Sequence, residues 1–196
     1  LKMCSILLGL DQLSSHVCNE QGMFSVHFAA KGGQYSCFSW LAERDFKENK
    51  LPKSKLGLTP LHLAALYGRY WFLKQALKDF GVGAFLVETN CGETVLHYAC
   101  RSLNFDVIDF VINECGLSMS HKDKAGNTPI HHAVLYAHFV NKTNINKKAI
   151  IEFNEKFGVE YFFIENNEHQ TPYNFLSSEH QDIVREYGAP SVDLSI

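Results

Sequence analysis

Short apolar runs return along this chain at a near-constant interval, separated by polar breaks. Leu61 and Leu63 to Ala65 make one compact run, and Trp71, Phe72, Leu73, Ala76 and Leu77 follow at the spacing of a helix with one apolar face. Val107, Ile108, Val111 and Ile112 repeat the second pattern one interval later. The first run is short and rich in small residues, which predicts a short helix that packs closely on its neighbours. The second predicts a longer amphipathic helix. Tyr67-Gly68 and Ser102-Leu103-Asn104 separate the two, and Gly81, Gly116 or Gly158 stands where the longer helix stops, as a helix C-terminus often requires. The predicted unit is turn, short helix, turn, longer helix, glycine stop.

The short run belongs to a phrase of nine residues that occurs five times. It reads GMFSVHFAA from Gly22, GLTPLHLAA from Gly57, GETVLHYAC from Gly92, GNTPIHHAV from Gly126 and, degraded, HQTPYNFLS from His169. The steps between copies are 35, 35, 34 and 43 residues. Thr59 and Thr128 are favoured N-caps, and Pro60 and Pro129 suit the first helical turn, where a missing N–H costs nothing. Gly57, Gly92 and Gly126 fit a tight turn with φ > 0. A fixed period of this size means stacked supersecondary units that bury apolar faces for one another.

The phrase G-x-T-P-L-H-x-A-A at this period resembles the ankyrin repeat, over roughly residues 19 to 190, with Gly57 to Gly68 matching almost letter for letter. The resemblance implies an all-α, ankyrin-like α-solenoid of helix-turn-helix repeats joined by β-hairpin-type turns. Repeats are expected to start near 19, 54, 89, 123 and 166. Residues 1–18 read as a partial leading repeat or cap helix, and 191–196 as a tail. The degraded fifth copy reads as a cap. Tyr187-Gly188-Ala189-Pro190 resembles the start of a further hairpin, and the chain opens on Leu1, so a piece of a longer protein is expected. The resemblance also implies a structural role for His27, His62, His97 and His131, each ring bonded to backbone near the turns.

Such arrays act by binding another protein on a concave face made of turn tips and short helices. Carried onto this chain, the turn positions are Met23, Lys55, Leu58, Asn90, Glu93, Lys124, Asn127 and Gln170. The exposed ends of the short helices supply Lys31, Leu66, Tyr67, Arg101, Ser102, Leu135 and Tyr136. Tyr67 and Tyr136 stand either as interface anchors, since Tyr and Arg dominate hot spots, or as packing against the next unit.

Composition narrows the rest. Net charge is −3, with 10 Lys/Arg against 8 Asp/Glu in residues 1–98 and 8 against 13 in residues 99–196. No basic stripe for nucleic acid is present, and Arg44 to Lys55, interrupted by Asp45 and Glu48, reads as a solvated loop. The six cysteines form no C-x-x-C pair, and Cys100 replaces an alanine inside a packed helix, which suits free thiols in a reducing, cytoplasmic compartment. The apolar start Met3 to Leu10 is too short to span a membrane and lacks the flanks of a signal peptide. A monomer is expected. Asn141-Lys142-Thr143 is formally a glycosylation sequon, unused in such a compartment.

No catalytic or metal-binding chemistry is expected. His131, His132 and His138 are the densest histidine cluster, but His131 belongs to the repeat phrase and no cysteine spacing completes a zinc site. Cys100 and His97 lie three apart on one helix, yet no orienting third group or cleft accompanies them. No glycine-rich phosphate loop, G-x-S-x-G or H-E-x-x-H occurs. The chain is therefore not expected to be an enzyme or to hold a cofactor or metal. One irregularity remains: the fourth unit is longer by about nine residues, an insertion near 140–147 between its two helices, which reads either as a binding loop or as a tolerated surface loop. The rival to an adaptor or effector module is the recognition or regulatory segment of a larger multidomain enzyme, or of a bacterial host-directed effector acting in host cytoplasm, with catalysis elsewhere.

Overall fold

The structure, a computed structural model, describes residues 17–46, 50–140 and 145–188. Residues 1–16 of the expected leading repeat or cap helix (1–18), residues 141–144 of the expected insertion with the sequon at 141–143, and the expected tail 191–196 lie outside the described residues. The fold is all-α, an ankyrin-like solenoid: among the described residues there are nine α-helices and no strand, only an isolated bridge between Cys18 and Phe24. Contacts divide the chain after Leu117 into two compact units.

The first unit holds three helix pairs. Short helices α1 (Ser25–Gly32), α3 (Pro60–Leu66) and α5 (Val95–Ser102) alternate with longer helices α2 (Tyr35–Asp45), α4 (Tyr70–Phe80) and α6 (Phe105–Cys115). The short helices pack directly on one another, α1 on α3 and α3 on α5. Small buried residues permit this approach: Ala30, Ala64, Ala65, Ala99 and Cys100 are fully enclosed. The longer helices close the core from the other side through rings and branched side chains. Phe38 of α2 meets Phe72 at 4.8 Å and Phe80 at 5.6 Å, both on α4, and Tyr70 of α4 meets Phe110 of α6 edge-on at 5.7 Å.

The second unit contains α7 (Pro129–Leu135), α8 (Lys147–Phe157) and α9 (Ser178–Glu186), with 3-10 turns at Val159–Phe163 and Pro172–Phe175. Helix α7 does not stop at a glycine. It runs on into a π-helical turn, Tyr136–Val140. The degraded phrase after His169 yields only the 3-10 turn in place of a short helix, while α9 keeps Val184 buried.

Each phrase begins in a hairpin-type turn closed by backbone bonds. Ser54 N–H donates to Leu58 O at 2.8 Å and Gly57 N–H to Ser54 O at 2.9 Å, and the same pair of bonds recurs at 89–93 and 123–127. Successive turns then join: Lys55 N–H donates to Gln21 O, Asn90 N–H to Leu56 O and Asn167 N–H to Ala125 O, each at 3.0 Å. Gly57 sits at φ +82° with its α-carbon pressed on the next turn, where a Cβ would lie 2.6 Å from the Asn90 nitrogen. Both conditions exclude a side chain.

Candidate functional site

Thr and His of the phrase lock the short helices α3, α5 and α7 at their first turn, and in α1 the Phe24 N–H donates to His27 Nδ1 in the same way. In the second repeat, Thr59 N–H donates to His62 Nδ1 at 3.2 Å, and the Thr59 hydroxyl lies 2.8 Å from the same nitrogen. Thr94 with His97 and Thr128 with His131 repeat the arrangement. A nitrogen that accepts an N–H bond carries no proton, so the neutral ring holds its proton on Nε2. That N–H points toward the following turn: His27 Nε2 lies 2.9 Å from Leu58 O, and His131 Nε2 lies 3.0 Å from Gln170 O. At His62 the Glu93 carbonyl is near enough to act electrostatically on the ring, but Nε2 has no hydrogen bond of good geometry. Burial lowers the pKa of His27 and His131, and that of His62 to about 4. His27 and His131 are thus neutral struts between turns, and His62 is a neutral cap.

This leaves little for catalysis by the groups weighed in the sequence. Cys100 is buried and its thiol pKa is pushed up by that burial, while His97 Nδ1 is engaged by Thr94. His131 and His132 face different partners, the latter bonding Asp123 at 2.7 Å through Nε2.

The binding positions proposed from the sequence fall into distinct environments. On the short-helix side of the first unit, Tyr67 stands 42% exposed at the C-terminal end of α3, with the Lys31 ammonium of α1 4.9 Å from its ring centroid. Phe28, one turn before Lys31 on α1, is also exposed. Arg101 of α5 is held by the Glu93 carboxylate and lies 4.3 Å over the Tyr98 ring, whose hydroxyl donates to Glu93 at 2.6 Å. Burial and that carboxylate raise the Tyr98 pKa, so the phenol stays protonated. Leu66 is half-buried, and Ser102 Oγ donates back to Ala99 O at 2.7 Å.

At the turn tips the side chains are more committed. Lys55 and Lys124 are exposed and Met23 is half-buried. Asn90 is exposed too, yet its Nδ2 donates to Lys55 O at 2.8 Å. Asn127 Oδ1 accepts from Asn166 Nδ2 at 2.9 Å, and the Gln170 carbonyl receives His131. Leu135 and Tyr136 are half-buried, Tyr136 within the π-helical turn rather than at a free helix end. Leu58, expected to face outward, is 6% exposed. Its N–H is taken by Ser54 Oγ at 3.1 Å and its carbonyl by His27, so both its backbone groups are held in the turn and its side chain lies beneath it.

Two features escaped the sequence reading. The first residue of each turn has a short hydrogen-bonding side chain three positions before the glycine or its equivalent: Asn19, Ser54, Thr89, Asp123 and Asn166. Asp123 Oδ1, for example, accepts from Ala125 N–H at 2.9 Å and Asn127 N–H at 2.8 Å. The second is Trp71, read as part of an apolar packing face but 70% exposed, bordering a cleft with α6.

Comparison with known proteins agrees with this architecture. A family model of ankyrin repeats in three copies matches residues 1–85 and 74–146. A Saccharomyces cerevisiae protein, p28, which carries the name of a 26S proteasome regulatory subunit, is 28% identical over 152 residues, 76% of this chain and 60% of its own length. The yeast target of rapamycin complex 2 subunit AVO2 is 27% identical over 124 residues, 63% of this chain and 29% of AVO2. XBAT31 of Arabidopsis thaliana, which carries the name of an E3 ubiquitin-protein ligase, is 29% identical over 117 residues, 54% of this chain and 25% of XBAT31. The chain thus spans less than two thirds of the length of each of these relatives. The phrase, the stacked helix pairs, the histidine struts and the family match lead to one conclusion: the chain belongs to the ankyrin-repeat family, whose repeats are protein-interaction modules.

Proposed function

We propose that the chain binds a partner protein through the concave, short-helix side of its repeats, as an adaptor or recognition module without catalysis of its own. The observation that carries this reading is Tyr67: a large aromatic side chain, well exposed on the short-helix side, backed by Lys31 from the neighbouring repeat. Rigid aromatic anchors of this kind carry much of the energy in protein interfaces. Arg101 contributes a guanidinium already ordered by Glu93 and Tyr98, so less side-chain freedom is lost when a partner docks. Among the described residues no helix is long and apolar enough to cross a membrane. Free thiols at Cys18 and Cys91, both exposed, favour a reducing compartment.

The test is affinity capture from cell extract with the full chain and with its Tyr67→Ala variant, compared by mass spectrometry. A protein retained by the first and lost from the second supports the reading; identical captures with both overturn the assignment of Tyr67. A second reading, the recognition segment of a larger enzyme, rests on the likeness to XBAT31, which carries the name of an E3 ubiquitin-protein ligase.

A further inference from the structure

The long-helix side of the first unit carries a cleft whose chemistry differs from the short-helix side. It lies between α4 and α6, has a volume of about 470 Å³, and falls within the usual range for ligand pockets. One wall is aromatic. Tyr70 meets Trp71 edge-on at 5.3 Å and Phe110 edge-on at 5.7 Å, leaving the exposed indole at the rim. The other wall is the polar face of α6, with Asp106, Asp109, Asn113 and Glu114 along successive turns. Helix α6 contains three carboxylates and no Lys or Arg.

We propose that this cleft binds a basic segment of a partner protein, seating a lysine or arginine side chain against Trp71 with its charge toward the α6 carboxylates. An indole face attracts a cation through its quadrupole, and the carboxylates that line the same cleft add direct attraction. The aromatic wall already accepts one cation of this chain: the Lys74 ammonium lies 5.4 Å from the Trp71 ring and 5.9 Å from the Tyr70 ring. An anionic segment is repelled by α6, and a purely apolar one leaves its carboxylates desolvated. The α6 carboxylates do not converge as a metal-ligand set, which favours an extended side chain over a point ion. The inference is independent of the Tyr67 surface, which uses other residues.

The experiment uses the full chain with Trp40→Phe, leaving Trp71 as the single indole. Tetralysine and tetra-arginine peptides are titrated while Trp71 emission is read, with tetraglutamate as control. Labelled versions then give affinities by anisotropy for Trp71→Ala and for Asp106→Asn with Glu114→Gln. Trp71 is largely exposed, so its loss leaves helicity intact, checked by circular dichroism. The expected result is a saturable emission change with the basic peptides alone, and affinity at least tenfold weaker in both variants. Unchanged affinity in Trp71→Ala overturns the proposal. So does an equal loss in a control carrying Glu165→Gln and Glu168→Gln, two exposed carboxylates of the second unit, since binding then follows net charge only. Loss of the peptides in Tyr67→Ala with retention in Trp71→Ala moves the site to the short-helix side and overturns it as well.

Discussion

His62 shows how a buried side chain can cap a helix, and why it must stay neutral. Thr59 N–H points at Nδ1, so a proton added there would face another proton and lose the cap. Burial acts in the same direction and takes the pKa from an ordinary value near 6.5 to about 4. The folded ring therefore binds a proton less readily than the unfolded one, and the unfolded state gains protons first as pH falls. His62 contributes its full stability above about pH 6.5 and loses it progressively toward pH 4, roughly 3 kcal/mol in all. Urea midpoints at pH 7.5 and 4.5 should show the loss, and it should shrink markedly in His62→Asn. Asparagine is the natural comparison, because Asn174 already fills this place in the fifth phrase and accepts from Thr171 N–H at 2.7 Å. An equal pH dependence in the variant would remove His62 as its source. Replacing His62 or His97 by Ala leaves a buried backbone donor unmet and should cost about 1–3 kcal/mol, read as a lower denaturant midpoint. The identity of this cap was implied by the repeat phrase. Which nitrogen carries the proton depends on where Thr59 points its N–H, and that follows from backbone geometry alone.

At the scale of elements, the turns separate two reasons for a glycine. Gly116, ending α6 at φ +71°, has nothing within 4 Å of where its Cβ would be, so Gly116→Ala meets only the left-handed backbone penalty of about 1 kcal/mol. Gly57 meets the same penalty and also the next turn, since its Cβ would crowd the Asn90 nitrogen and Oδ1. Gly57→Ala should therefore cost about 2–3 kcal/mol, clearly more than Gly116→Ala in matched urea unfolding. Equal costs would mean that the turn ladder yields without strain. Both glycines were legible as turn and stop signals, as were the Thr-Pro helix starts and the apolar faces of α4 and α6. The close approach was not, because it depends on the neighbouring repeat. The same limit explains Leu58, whose place beside a turn glycine suggested an outward side chain until the hairpin bonds turned it inward. Trp71 failed for the opposite reason. It fits the apolar spacing of α4, but Phe72, Leu73 and Ala76 already fill the buried face, leaving the indole on the rim.

At the scale of the whole molecule, the two sides of the helix pairs present different chemistry, and a partner should tell them apart. In the first unit the short-helix side offers Tyr67 with Lys31 and the ordered Arg101; in the second unit, described by itself, Tyr136 stands in the π-helical turn that follows α7. These residues differ in how cleanly they can be tested. Removing Arg101 leaves the half-buried Glu93 without its guanidinium, so a loss of binding there mixes with a loss of fold. Tyr67 is largely free of that difficulty, because its ring is exposed and its neighbour Lys31 is solvated. With the captured partner in hand, Tyr67→Ala and Tyr136→Ala should each weaken binding by about 2 kcal/mol, near thirtyfold in Kd, with denaturant midpoints little changed for Tyr67→Ala. Lys78→Ala on α4 and Glu152→Ala on α8, both away from the short helices and from the Trp71 cleft, should stay within a factor of about two. Isothermal titration of the four variants decides the matter. If Lys78→Ala or Glu152→Ala abolishes binding while both tyrosine variants bind normally, the partner sits on the long-helix side, and the concave-face assignment falls.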